Sequence, residues 1–174
     1  MPTESSKAAK ISASAPAAPM RDFSRSLPMS LMRARESVMR HFRPSLRAHG
    51  LTEQQWRILR ALAAHGDIEV TELAAVAYLL GPSLSRILRD LETRRLIKRQ
   101  VVKADLRRST VSITRKGEQL IEAVAPTSEA IYAEIAQRFG ARKLAELQEM
   151  LHLLESSLLT MPVVADADAD EEPA

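Results

Sequence analysis

The chain has 174 residues, with 25 Lys and Arg against 22 Asp and Glu and 45% apolar side chains, which suits one globular domain with tails. It has no cysteine, so disulfides and thiolate metal sites are excluded. No apolar run approaches the roughly 18 residues that cross a bilayer, and the N-terminus lacks the apolar core of a secretory signal, so the sequence reads as a soluble cytoplasmic protein.

Residues 1–26 are rich in Ala, Ser, Pro and Lys, with almost no large apolar side chain before Met20. Such a segment buries too little surface to offset its ordering entropy and is read as a disordered extension. A body over residues 27–160 follows. Residues 161–174 form a second disordered tail, whose last ten residues, ADADADEEPA, hold five acids and no base. That tail is read as a solvated terminus; the other reading makes it a competitor for the chain's basic face.

The body is mostly helical in pattern. A first helix over 28–48 puts Leu31, Val38, Met39, Phe42 and Leu46 on one side. A second starts at Thr52, whose T-E-Q-Q string is a capping box with Gln55, and carries Trp56, Leu59, Leu62 and Ala63. Residues 68–70 suit a short strand. A third helix over 71–78 is followed by a fourth from Pro82, a favoured first helical residue. The inner stripe of the fourth is Leu84, Ile87, Leu88 and Leu91. Residues 97–102 and 110–114 alternate with period two, as paired strands do, with a hairpin tip at 103–109. A fifth helix runs over 115–139, bent at Pro126. A sixth covers 141–159, where Leu144, Leu147, Leu151, Leu154 and Leu158 repeat at the spacing of a helix–helix seam. Gly50, Gly66, Gly81 and Gly140 fall between helical patterns, as turn glycines do.

Charge is concentrated in one stretch. Residues 86–116 hold eleven Lys and Arg against three acids, a net +8. A positive field on a helix-turn-helix followed by a basic hairpin is the electrostatic footprint of a duplex DNA reader. The fourth helix presents Ser83, Ser85, Arg86, Arg89 and Thr93 on its outer face, and a recognition helix uses such residues on base edges and phosphates. Taken alone, that face also reads as a solvated helix surface. At the hairpin tip, Arg107 and Arg108 suit a minor groove, with Asp105 holding Arg107 in a fixed pose; the competing reading is a surface ion pair of little worth. The sequence holds no G-x-S-x-G, no Gly-rich phosphate loop and no H-E-x-x-H. Its four histidines (His41, His49, His65, His152) lack ligand spacing, so neither an enzyme nor a metal site is read from it.

The string TELAAVAYLLGPSLSRILRDLETRRLIKR, the D-x-R wing at Asp105-Leu106-Arg107 and the following S-I-T-R-K-G resemble the MarR family of winged-helix regulators. The stretch SLMRARESVMRHFRPSLRAHGLTEQQWRILRAL is similar to a branch that includes the homoprotocatechuate-operon repressor and regulators of nicotinate and hydroxycinnamate catabolism. The resemblance covers about residues 27–159. It implies a mainly α fold with a small β-wing, whose DNA-binding lobe is about 52–116 and whose dimerisation helices are about 28–48 and 117–159. It also implies a triangular homodimer on a pseudo-palindromic duplex, without a cofactor. As a repressor of an aromatic-acid catabolic operon, such a dimer lets go when a small aromatic carboxylate binds, such as a hydroxyphenylacetate, hydroxynicotinate or hydroxycinnamate. The long N-terminal extension departs from the family pattern.

Arg35 falls in the middle of the first helix's apolar stripe. Burying an unpaired charge is expensive. Arg35 therefore either holds an ion pair, with Glu53 or the partner subunit's Glu36, or receives the effector's carboxylate. Met39, His49 and Trp56 would then wall in the ring, although Trp56 also reads as plain core. Two other classes stay open on the sequence. One is an architectural DNA binder, separable by salt-titrated binding to operator-like and scrambled duplexes. The other is a regulator that answers to no ligand, separable by a thermal-shift ligand screen.

Overall fold

Leucines spaced four and three apart decide most of the fold, because they give each helix one apolar stripe to hide. The computed structural model describes residues 22–102 and 105–162, with only the backbone for Val102 and residues 105–107. A short 3-10 turn, Phe23–Arg25, precedes helix α1 (Leu27–Ala48). Then come α2 (Glu53–His65), β1 (Ile68–Glu69), α3 (Val70–Val76), α4 (Gly81–Thr93), β2 (Ile97–Val102), β3 (Asp105–Ile113), α5 (Arg115–Phe139) and α6 (Ala141–Leu159). The fold is mainly α with a small antiparallel sheet in the order β1-β3-β2, the arrangement of a winged helix-turn-helix.

Two units divide the chain, Met1–Met39 and Arg40–Ala174. In the first, the opening turns of α1 leave Leu27, Leu31, Met32 and Val38 exposed. Arg33 Nη2 donates to the Ser24 carbonyl at 2.6 Å, which ties the 3-10 turn to the helix. Arg35 itself is exposed here, so the apolar stripe of α1 is buried only at Phe42 and Leu46.

In the second unit the core is built from Ile58, Leu59 and Leu62 of α2, Leu73 of α3, Leu84, Leu88 and Leu91 of α4, Val111 of β3 and Val124 of α5, all fully buried. Each such side chain contributes about 1.5–3 kcal/mol on leaving water. The capping box is present: Thr52 Oγ1 accepts from the Gln55 amide at 3.1 Å and Gln55 Oε1 accepts from the Thr52 amide at 2.9 Å. Arg57 Nη1 donates to the Ala77 carbonyl at 2.8 Å and so closes the C-terminal end of α3.

The hairpin differs from its sequence expectation. The second strand begins at Asp105, not at 110, so residues 105–109 belong to β3 rather than to the tip. Val101 faces Ser109 and Val102 faces Asp105, which leaves three residues of β3 opposite one step of β2, a bulge. Apolar alternation is silent there, because Arg107, Arg108 and Ser109 carry no period-two signal. Backbone pairing satisfies amides and carbonyls all the same. The remaining tip residues, Lys103 and Ala104, lie outside the described residues.

Entry to α5 is tight. Thr114 caps it, its hydroxyl accepting from the Gly117 amide at 3.2 Å. A Cβ on Gly117 would stand 2.3 Å from the Leu96 carbonyl oxygen and 2.7 Å from Ile113 Cγ1. The sheet and α5 meet so closely there that only glycine fits. Gly117→Ala is therefore expected to destabilise the protein by about 1–3 kcal/mol or more, through overpacking. A thermal melt should show the midpoint falling by several degrees. An unchanged midpoint would mean that strand and helix separate freely at this point.

Helix α6 has no buried residue: Leu147, Met150, Leu151, Leu153 and Leu158 are all exposed in the single chain, while Leu144 and Leu154 are half-buried. Among the described residues no helix is long and apolar enough to cross a membrane, and no group of three His, Asp or Glu could hold a metal ion.

Candidate nucleic-acid interface

Helices α3 and α4 form the helix-turn-helix. Leu84, Leu88 and Leu91 turn one side of α4 into the core, at zero exposure. The i, i+3, i+7 spacing then sets Arg86, Arg89 and Thr93 together on the opposite side, and all three are exposed. Ser83 and Ser85 are exposed nearer the N-terminal end of the helix. The Ser85 hydroxyl donates back to the Gly81 carbonyl at 3.1 Å and the Thr93 hydroxyl to the Arg89 carbonyl at 2.8 Å. Both hydroxyl oxygens keep lone pairs as acceptors.

The cations around this face fall into two groups. One group braces the fold. Arg94 lies 3.6 Å from Asp90, which also accepts from Gln55 Nε2 at 2.7 Å. Arg99 bonds Glu92 at 3.0 Å, Arg115 bonds Glu118 at 3.3 Å, and Lys116 Nζ donates to the Arg94 carbonyl at 3.0 Å. The other group includes Arg86 and Arg89 on α4, with Arg95 and Lys98 beyond it, all exposed and without a partner among the described residues. An exposed guanidinium with no acid beside it is free to take a guanine edge or a phosphate with its planar fork.

Arg108 belongs to the first group. Its guanidinium pairs with Glu69 of β1 through two hydrogen bonds, one of them Nε to Oε2 at 3.2 Å. Glu69 raises the Arg108 pKa above its ordinary value by accepting these bonds and by its charge. Any phosphate contact by Arg108 competes with that pair. Asp105 and Arg107 sit on the backbone of β3, but their side chains lie outside the described ones.

The residues expected to hold an effector are spread across the chain. Arg35 and Met39 belong to the first unit, and His49 and Trp56 to the second. His49 is half-buried in the turn after α1, with Nδ1 2.9 Å from the Ser45 carbonyl oxygen. Trp56, half-buried on α2, lines a recess of about 50 Å³ with Arg60, Ala125, Ser128, Glu129 and Tyr132. The Arg60 guanidinium lies over the indole, 5.9 Å from its centroid. Tyr132 also meets Phe42 in a tilted contact, with ring centroids 5.0 Å apart and planes 56° from parallel. Sequence reasoning misses Arg60 and Tyr132. A signal for Arg60 is present, since it stands one turn after Trp56 on the same helix face; nothing local points from α2 to Tyr132 on α5. A larger groove of about 600 Å³ between α1 and α5 has an aliphatic wall of Ala130, Ile131 and Ile135, flanked by Arg40, His41 and Arg138, with no phenyl or indole ring.

A sequence profile described as MarR family matches residues 49–108. The homoprotocatechuate degradative operon repressor of Escherichia coli is 39% identical over 130 residues, which cover 75% of this chain and 86% of that protein. The crystal structure of the transcriptional regulator PA4135 superposes with a TM-score of 0.74 at 42% identity, over 79% of this chain and 98% of that one. The crystal structure of NadR in complex with 4-hydroxyphenylacetate superposes with a TM-score of 0.68 at 36% identity, over 79% of this chain and 97% of that one.

Proposed function

The chain belongs to the MarR family, and from that premise we propose that it is a homodimeric repressor of an aromatic-acid catabolic operon that leaves its operator when a small aromatic carboxylate binds. The observation that carries the DNA half of this reading is the pair of arginines, Arg86 and Arg89, exposed and without a partner among the described residues, opposite the buried leucines of a helix-turn-helix. Ser83, Ser85 and Thr93 flank them and supply hydroxyls for bases or phosphates. The wing, with Arg107, reaches the adjacent minor groove. No enzymatic step enters: the chemistry is binding, and its two states differ in the spacing of two recognition helices.

The effector site we infer is the recess beside Trp56. The Arg60 guanidinium stays charged at any cellular pH, carries no ion pair among the described residues, and holds a carboxylate with two parallel hydrogen bonds. Trp56 and Tyr132 offer faces for an aromatic ring. At about 50 Å³ the recess is well below the roughly 300 Å³ of a typical ligand pocket, so a ring enters only by moving α2 and α5 apart. That movement is the link to DNA, because α2 packs against the helix-turn-helix through the bond from Gln55 to Asp90. A tenfold preference for the widened state, about 1.4 kcal/mol, is enough to favour release tenfold.

Trp56 is the sole tryptophan of the chain, so its fluorescence reports the recess directly. Titration with 4-hydroxyphenylacetate should change that emission and release a duplex selected from a random pool. Arg60→Ala should weaken the ligand about tenfold to a hundredfold, as expected for loss of a charged hydrogen-bonded contact, and leave duplex binding intact. Arg35→Ala is the control that separates the two arginines. If it alone abolishes the response, Arg35 takes the carboxylate and the recess does not. If no aromatic acid changes either signal, the ligand half of the reading fails.

A further inference from the structure

The C-terminal acidic segment has a place to go once α4 is read as the DNA-contacting helix, and the inference rests on that reading. Tyr78, just after α3, is 73% exposed and held at φ +49°, a left-handed conformation that bulky residues avoid. Its hydroxyl donates to Glu155 Oε1 on α6. That bond sets the end of α6 beside the turn that leads into α4. Helix α6 ends at Leu159, one turn beyond Glu155, so the chain leaves it near the turn that precedes the recognition helix. The residues beyond carry Asp166, Asp168, Asp170, Glu171 and Glu172 with no base among them. The recognition helix offers Arg86 and Arg89, exposed and without a partner among the described residues.

We propose that the acidic segment within residues 163–174 docks on Arg86 and Arg89 of the recognition helix and so competes with duplex DNA for that face. Reach is sufficient. Six residues separate Leu159 from Asp166, and the seven steps between them span up to about 25 Å when extended. Arg86 and Arg89 lie five and eight residues into α4, about 8–12 Å along its axis from Gly81. The chemistry also fits. In an extended chain, acids at i, i+2 and i+4 share one face, which gives Asp166, Asp168 and Asp170 a row to set against the two guanidinium groups. A tether this short holds the acids at an effective concentration on the order of millimolar. Weak contacts then suffice to occupy the face while no DNA is present. Added salt weakens these pairs as it weakens the contacts to phosphate, so the competition relaxes as salt rises and the tail flattens the salt dependence of DNA binding.

The chain has no cysteine, so one placed at Pro173 carries a spin label at a single site. Without DNA, and at low salt, the label should broaden the amide resonances of Ser85, Arg86 and Arg89. At about 0.5 M salt, where the Debye length shrinks to a few ångströms, the broadening should vanish. Broadening confined to the end of α6 would overturn the proposal. In parallel, Asp166→Asn, Asp168→Asn, Asp170→Asn, Glu171→Gln and Glu172→Gln are combined in one full-length variant. It should bind both selected and scrambled duplexes about threefold to tenfold tighter at low salt, with a steeper salt slope. Equal affinity and equal slope would also overturn it. The two readings fail separately. A wild type that binds no duplex while its label still broadens α4 sinks the DNA reading and leaves the tail contact standing. A wild type that binds duplex while its label never reaches α4 sinks the tail alone.

Discussion

Leu151→Asp combined with Leu154→Asp is expected to turn the protein into a monomer that no longer holds a selected duplex. The leucines of α6 repeat at the spacing of a helix seam, yet none is buried within the chain, and Leu151 is 40% exposed. Met150, Leu153 and Leu158 add to the same uncovered helix. A soluble protein rarely leaves so many large apolar side chains in water without a partner. The partner we assign is a second copy, because a twofold dimer places two recognition helices in successive major grooves, with half-sites about one helical turn apart. Each copy contributes both leucines. Four leucines at about 1.5–3 kcal/mol each supply roughly 6–12 kcal/mol that the variant forgoes, and the buried carboxylates add their own desolvation penalty. Sedimentation should report a monomer and gel shift an absence of binding, while circular dichroism stays helical because the core of the second unit lies elsewhere. A variant that remains dimeric and binds tightly would move the interface away from α6.

Arg89→Ala is expected to weaken operator binding by about 1–3 kcal/mol per half-site, and roughly twice that for a dimer engaged at both. The effect should be specific. Discrimination at one base position per half-site should relax, while binding to scrambled duplex falls much less. The geometric reason is that Arg89 sits opposite Leu88 and Leu91, exposed and unpaired among the described residues, on the helix that would lie in the major groove. Arg107→Ala should behave differently. A wing residue acting on phosphates should weaken both duplexes alike and reduce the magnitude of the salt slope by about one for each phosphate it neutralises. Competition between a selected and a scrambled duplex over a range of salt distinguishes the two patterns. If Arg89→Ala weakens both duplexes equally, α4 grips the backbone and reads no base. If Arg107→Ala changes neither affinity nor slope, the wing does not touch the duplex.

The candidate site is partly legible in the sequence. Arg86 and Arg89 stand out because a leucine stripe on α4 leaves only one face for charge, and the structure places them on that face, exposed. Arg108 looks equally available from its neighbours in sequence, but Glu69, in a strand far from it along the chain, takes its guanidinium. Arg35 draws attention because it interrupts an apolar stripe, and the stripe is exposed at that level of α1. Arg60 interrupts no stripe and draws less attention, its one local signal being its place a turn after Trp56 on the same helix face.

Residue order alone determined the helices, the Thr52 cap of α2 and the inner face of α4. The contacts that specify them, from Thr52 to Gln55 or from Leu84 to Leu88, run between residues three or four apart, and a short window of sequence contains both partners. It determined the family as well, through the run from Thr71 to Gly117 in which turn, helix and wing residues keep their spacing. Tertiary structure alone decided which cations brace the fold and which have no partner among the described residues, where β3 begins, and why Gly117 must lack a side chain under Leu96 and Ile113. It alone brought Tyr132 to Trp56, and Glu155 to Tyr78. Each of these depends on a partner brought close only by packing, and a local pattern holds no record of which distant side chain will arrive.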